Sequence, residues 1–231
     1  GITNQSELLY NNLTIQSGGA LRNQSSHATF WINASNIIIE DGGYIEGNVN
    51  ITAGNLTILA GGLINSSGLG YEGLTTGAGL GPGGGNVGSW GGAGGSYGGK
   101  GGKGVDSPAA ASTYGSDSIL TDVGSAGGGG SAGGGNGGEG GGLIFINVTD
   151  TLVVNGSILS KGGDASTGGA GGGGSGGSIY LIANTFSGGG SLNVTGGNGS
   201  YINGGSYGGG GGGGRVSMHY TTKTFNGTIN L

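Results

Sequence analysis

The sequence predicts an all-β protein, specifically a parallel β-helix carrying a packed polyglycine-II layer formed by glycine-rich insertions. Three observations predict it. Short apolar runs recur with the same internal order, 69 of the 231 residues are glycine, and no stretch has a convincing helical period. Collagen, the other glycine-rich class, is excluded because the chain has only two prolines.

One template occurs three times in the N-terminal third. Each copy is a short strand, a two-residue step, a Gly-Gly corner and a second apolar pair. The copies begin at Asn12, Asn36 and Asn55. We expect strands of four to six residues, in which Leu56 faces a core and Asn55 faces outward, because alternate strand residues point to opposite sides.

A longer repeat fills the C-terminal third. Its Gly-Gly-strand units begin at Gly141, Gly176 and Gly213, at nearly equal intervals. A second corner follows each of them at an almost constant distance along the chain. Short strands between corners favour β-helix coils, which bury their apolar faces only by stacking on neighbouring coils.

Glycine-rich tracts occupy roughly residues 77–104, 124–142, 168–177 and 204–214. A flexible linker is one interpretation. The other is an ordered layer with three residues per turn, in which neighbouring tracts satisfy each other's backbone groups. The layer is favoured because two tracts hold the same place in the long repeat.

The chain is therefore predicted to be one continuous structural unit with three parts. These are N-terminal coils (1–76), a glycine-rich insertion packing on the rod (77–142), and C-terminal coils with two further glycine tracts (143–231).

Two glycine-rich runs, 171–181 and 208–216, resemble those of glycine-rich parallel β-helix surface proteins. The tracts are also similar to the polyglycine-II bundles of snow-flea antifreeze protein and of some phage adhesin tips. The resemblance implies an extracellular role, either structural or adhesive.

Acceptor sequons for N-glycosylation are unusually frequent. They include 12 of the 20 asparagines, whereas chance predicts about four, since Ser and Thr make up roughly a fifth of the chain. The alternative is that Asn and Thr are simply favoured in turns and strands. We expect a secreted glycoprotein with covalent N-glycans at Asn4, Asn12, Asn23, Asn33, Asn50, Asn55, Asn65, Asn147, Asn155, Asn193, Asn198 and Asn226.

Charge and hydropathy limit the kinds of partner that we expect this protein to bind. The net charge is −5 and the six basic residues are scattered, which disfavours nucleic acid. No apolar run approaches the roughly 20 residues of a transmembrane helix. We expect a homo-oligomer or polymer instead.

The sequence predicts no catalytic residue, no cofactor and no metal site. His27 and His219 lie in surface-like contexts, and Glu40 and Asp41 are adjacent, so on a strand they would face opposite sides. Residues 101–106 match only the start of a calcium-binding repeat. A ligand-contact loop is expected around Trp90 and Tyr97.

The sequence favours an extracellular structural glycoprotein, the subunit of a surface filament, sheath or layer built by end-to-end or lateral packing. One alternative is an adhesin or carbohydrate-binding surface module. A second alternative is a β-helix enzyme that degrades polysaccharides.

Overall fold

The computed structural model describes residues 7–23, 28–130, 135–202 and 204–231, with the backbone alone at 7–9. These residues form strands and turns and no helix. The predicted all-β class is confirmed. The strands are, in chain order, β1 (Glu7–Ile15), β2 (Ala20–Arg22), β3 (Thr29–Ile39), β4 (Tyr44–Glu46), β5 (Asn48–Ile58), β6 (Leu63–Asn65), β7 (Leu143–Val154), β8 (Ser157–Leu159), β9 (Ser178–Ser187), β10 (Ser191–Asn193), β11 (Tyr201–Ile202), β12 (Ser206–Tyr207), β13 (Arg215–Lys223) and β14 (Thr228–Asn230).

The strands form two six-stranded parallel sheets. Sheet A has the order β1-β3-β5-β7-β9-β13, and sheet B has the order β14-β10-β8-β6-β4-β2. The chain alternates between them, since each long strand of sheet A leads into a short strand of sheet B. Strands β11 and β12 form a small antiparallel pair.

The register of both sheets follows the sequence repeats. Asn12 pairs with Asn36, and Asn36 with Asn55, so the first residues of the three N-terminal copies lie side by side. In the C-terminal part Ile179 pairs with Ile144 and with Val216, which hold the same place in the three long units. The repeats therefore mark strands that are neighbours in the sheets.

The predicted strand length of four to six residues is wrong for both sheets, because the strands of sheet A have 9–12 residues and those of sheet B have three. The inward–outward alternation is interrupted midway in β3, β5, β7 and β9, which marks a bend in these strands. In β3 the inward–outward alternation breaks at two successive exposed residues, Ser35 and Asn36, and pairing with β5 skips Ser35. The bend thus joins two short arms of the same strand, the first arm before the bend and the second arm after it, without a loop.

A single apolar core lies between the sheets and is built of rows of equivalent residues. Three of these rows are Phe30–Val49–Ile144–Ile179–Val216, Ile32–Ile51–Ile146–Leu181–Met218 and Leu21–Ile45–Ile64–Ile158–Leu192–Ile229. Their inner members are completely or almost completely buried. Each such side chain stabilises the fold by about 1.5–3 kcal/mol relative to exposure.

Glycine at the N-terminal corners has a conformational cause. Gly18, Gly42 and Gly61 each begin a Gly-Gly corner, with φ of +74°, +74° and +82°. A residue with a β-carbon rarely adopts this left-handed conformation. These glycines let the chain turn from sheet A into sheet B within four residues, as between Ile15 and Ala20.

Residues 66–142 separate the third long–short strand pair from the fourth. Among the described residues of this segment, pairing is limited to isolated bridges at Gly88, Gly130 and Gly135. Strand β5 pairs directly with β7 across the insertion, and β6 pairs with β8. The N-terminal and C-terminal strands therefore share one core.

The glycine tracts hydrogen-bond to one another. Three segments close a ring of bonds at 2.8–2.9 Å, and the ring repeats three residues further along each segment. The bonds are Gly92 to Ala170, Gly173 to Gly209 and Gly209 to Gly92, then Gly95 to Gly173, Gly176 to Gly212 and Gly212 to Gly95, with the amide named first. The tracts are thus not paired as the strands of a sheet are. Their backbone hydrogen bonds run to neighbours in three directions.

Close packing explains why these positions are glycine. A β-carbon on Gly212 would overlap the carbonyl oxygen of Gly99, and one on Gly92 would overlap that of Gly128. The Cα–H bond therefore points at a carbonyl oxygen, a weak contact that recurs across the layer. Gly210 differs, because its β-carbon would meet nothing closer than 3.7 Å.

This contrast gives a matched test within one tract. Gly212→Ala should destabilise the protein by about 1–3 kcal/mol, because backbone must move to admit the methyl group. Gly210→Ala should be neutral or stabilise by about 0.4–1 kcal/mol, since alanine restricts the unfolded chain. Denaturant unfolding of both variants measures the difference, and equal stabilities would contradict the close packing.

Candidate functional surfaces

Sheet A carries aromatic and amide side chains on its outward face, in the part of each long strand that precedes the bend. One row of paired residues contains Trp31, Asn50, Phe145 and Tyr180. Trp31 is 48% exposed. The adjacent row includes Asn33, Thr52 and Asn147. These residues lie outside the core because they alternate with the buried Ile rows.

The structure places each predicted glycan acceptor except Asn4, which lies outside the described residues. None of the other eleven is buried. The exposed ones are Asn12, Asn33, Asn155, Asn198 and Asn226, and the partly exposed ones are Asn23, Asn50, Asn55, Asn65, Asn147 and Asn193. By contrast Asn48, which is not in a sequon, is 3% exposed and accepts a hydrogen bond from the amide of Leu143.

Three equivalent asparagines form a ladder at the bend of sheet A. The Asn36 side chain donates to Asn12 at 2.9 Å, and Asn55 donates to Asn36 at 3.1 Å. The amide of Thr151 continues the ladder by donating to Asn55. The sequence signal for this ladder is the recurrence of asparagine at one place in three repeats.

A shallow groove of about 600 Å³ lies beside these rows. It is lined by Tyr10, Asn11, Asn33, Ala34, Ser35, Thr52, Ala53, Gly54 and Thr149. Hydroxyls and amides therefore dominate its polar surface. Tyr10, at its rim, is 41% exposed.

The predicted ligand-contact loop separates into one exposed and one buried residue. Trp90 is 56% exposed, but Tyr97 is completely buried. Tyr97 is therefore not a surface contact, and its inclusion in the loop was wrong. The flanking glycines predict an exposed tip, but the ring of Tyr97 packs against Tyr114 and lies near the Arg215 guanidinium.

Tyr97 belongs to a buried network that joins the glycine layer to sheet A. Its hydroxyl lies 2.7 Å from Oγ of Ser178, which itself donates to the carbonyl of Asp122 at 2.6 Å. The one Ser178 proton is thus used, so Tyr97 is the donor. The Arg215 guanidinium lies 5.4 Å from the ring centroid.

A second tyrosine packs against the first. The rings of Tyr97 and Tyr114 are 4.9 Å apart, and Tyr114 donates to the carbonyl of Val123. Ser125 donates in turn to the Tyr114 hydroxyl. Burial raises the pKa of both phenols, because the charged phenolate would lose its hydration.

At the two edges of sheet A, the last residues of the core rows are partly exposed. Leu13 at the β1 edge and Val216 and Met218 at the β13 edge are only partly buried against the core. Phe225 covers part of the second edge, since it stacks on Phe186 at 4.6 Å. Lys223 occupies the position opposite Phe186.

Titratable residues do not assemble into a metal-ligand cluster within the described residues. His219 is exposed on β13, where its Nε2 lies 3.2 Å from Oγ of Ser217. Asp41 is exposed at a corner and Glu40 is partly exposed. Asp106, in the partial calcium-like match, has φ of +56°. His27 lies outside the described residues.

Comparisons with protein-family models, curated proteins and solved structures find no match. The described part of the chain contains no helix of the length and apolarity needed to span a membrane.

The tyrosine network predicts alkaline sensitivity. The unfolded phenols ionise near pH 10, while the raised pKa of the folded ones keeps them protonated to higher pH. Stability should be fully present below about pH 10 and fall above it by up to about 1.4 kcal/mol per pH unit for each tyrosine. Tyr114→Phe should make this fall shallower.

Urea unfolding between about pH 8 and pH 11.5 measures the slope for the parent, Tyr114→Phe and Tyr97→Phe. Tyr201→Phe is the control, because Tyr201 is 62% exposed and lies outside this network. A slope that none of the variants changes would show that these phenols do not control alkaline stability.

Proposed function

We propose that this protein is an extracellular structural glycoprotein, the subunit of a surface filament, sheath or layer assembled by end-to-end or lateral packing. It acts as a rigid rod with a glycine-rich layer on its flank. Its role is mechanical, and it is not an enzyme.

The proposed rod is a parallel β-helix. Three features support it: the chain alternates between two sheets, each strand pairs in parallel with its equivalent in the next repeat, and the bend divides sheet A into two arms. Two arms and one short strand give three faces around one core. Successive repeats then act as coils stacked along an axis.

The proposed layer is a polyglycine-II lattice. Its support is the three-residue step between equivalent hydrogen bonds, which matches a helix with three residues per turn. Each segment in such a lattice bonds to several neighbours. Glycine loses the most conformational entropy on ordering, so a rigid β scaffold is needed to hold it.

One observation carries the assembly proposal: apolar and polar rows run through sheet A to strands whose outer edges are unpaired in the described chain. An unpaired edge presents N–H and C=O groups that another strand can bind. Strand β13 of one copy can pair with β1 of the next in the same parallel sense. The rows would then continue across the junction.

The glycoprotein proposal is supported by the exposure of the acceptor asparagines. Alternation along the strands directs Ile, Leu and Val inward and the sequons outward. Glycans would therefore coat the rod without entering its core. An abundant sugar coat suits a protein that works outside the cell.

The adhesin or carbohydrate-binding alternative ranks second. The observation in its favour is Trp90, a large aromatic side chain with more than half of its surface exposed. Tyr97 does not support this alternative, because it is buried.

Intact mass and peptide mapping test the glycoprotein proposal on material from the natural source. We expect mass beyond the polypeptide, removed by deglycosylation and located at the sequons. Occupancy should be highest at exposed sites such as Asn155 and Asn226. A chain with the bare polypeptide mass would refute the proposal.

An edge variant tests assembly. Met218→Asp places a charge in a core row at the β13 edge, so it should abolish end-to-end association seen for the parent by light scattering and electron microscopy. Thr221→Asp puts the same charge at an exposed position of β13 and should still assemble. A parent that stays monomeric at all concentrations, or a Met218→Asp chain that still forms filaments, would contradict end-to-end stacking.

A further inference from the structure

Trp31, Asn33 and Ser35 lie on the same outward side of β3. Trp31 and Asn33 are both exposed, and the residue between them, Ile32, is buried. Residues two apart on a strand are about 6.5–7 Å apart along it. An indole ring thus stands beside a glycan acceptor, with the sequon hydroxyl on the other side.

The space next to Asn33 suits a sugar. Asn33 lines the groove of about 600 Å³, and Thr52 lies directly opposite it on β5. Ser35 and Thr149 add hydroxyls to the groove wall. At the bend Gly54 adds no side chain, since a β-carbon there would lie 2.5 Å from the Ser35 carbonyl oxygen.

We propose that the sugar attached to Asn33 lies on the outer face of sheet A between Trp31 and this groove, with the apolar face of the sugar ring against the indole of Trp31. This inference rests on the proposed N-glycosylation. The axial C–H groups of a pyranose are weakly positive and the face of an indole is negative, so the two attract. The sugar hydroxyls face the hydroxyls of the groove, chiefly that of Thr52.

Two other sequons have the same spacing. Tyr10 precedes Asn12 by two residues, but Tyr10 pairs with the buried Ala34 and the pairing of β1 with β3 skips the residue between Tyr10 and Asn12, so the two do not share the outward face.

The other sequon has a less available ring. Phe145 precedes Asn147 by two residues, yet Phe145 is only partly exposed and packs edge-on against Tyr180 at 5.2 Å. The ring of Trp31 is far more open, since the residue is 48% exposed. Asn33 is therefore the site at which the protein surface and its glycan bind each other.

The test uses the fact that the chain has two tryptophans, so Trp90→Phe leaves Trp31 as the only one. In this background, acrylamide quenching of Trp31 fluorescence is compared between the chain glycosylated at Asn33 and the Asn33→Gln variant. A sugar over one face of the ring should protect it, and we expect the quenching constant to rise about twofold when that face is uncovered. Asn155→Gln is the control, because residue 153 is valine rather than an aromatic.

Site-specific mass mapping accompanies the measurement. Occupied Asn33 with a higher quenching constant in Asn33→Gln, and an unchanged one in Asn155→Gln, supports the inference. Occupied Asn33 with unchanged quenching overturns the inference and leaves the glycoprotein proposal intact. Bare Asn33 in a chain glycosylated elsewhere also overturns the inference alone, whereas a chain without any glycan refutes the glycoprotein proposal as well.

Discussion

Parallel pairing between equivalent strands is the constraint on which the rest of the structure depends. It aligns the isoleucine, leucine and valine rows, and so creates a core that no single repeat could enclose. It also fixes where the glycine segments leave and rejoin the sheets. The layer can satisfy its backbone groups only because those points are held in register. Without the strand pairing, 69 glycines would have too little side-chain burial to offset their conformational entropy.

The sheets and the glycine layer are both closely packed, but the packing involves different groups. In the sheets, side chains fill the interior and alternate with a polar exterior. In the layer, packing is between backbones, and a methyl group in the wrong place is an obstacle. Serine and tyrosine join the two parts, as where Ser178, the first residue of β9, binds Tyr97 from the layer. The low charge of the chain is consistent with an interior made largely of backbone.

Register was the most predictable property, because repeats at Asn12, Asn36 and Asn55 had to stack to bury their apolar faces. The bend of the long strands was not predictable, since Ser35, Gly54 and Thr149 share no residue type that marks a corner. Burial of Tyr97 was missed for a related reason. A glycine-rich flank is typical of an exposed loop, and the residues that surround the ring, Tyr114, Ser178 and Arg215, do not neighbour Tyr97 in the sequence. The sequons can be found in the sequence alone. That Trp31 lies beside Asn33 on the same face follows only from the structure, in which both side chains face outward.

The order of hydrogen-bonding partners along the chain has a consequence for biosynthesis. Gly92 bonds to Ala170 and to Gly209, both of which belong to much later parts of the chain. A ribosome delivers the first glycine tract long before its partners exist, so that tract must wait unordered while the C-terminal strands are made. Closing such distant contacts is slow compared with local folding. The N-terminal strands therefore act as a template to which the C-terminal strands are added, and the hydrogen bonds between glycine tracts form last.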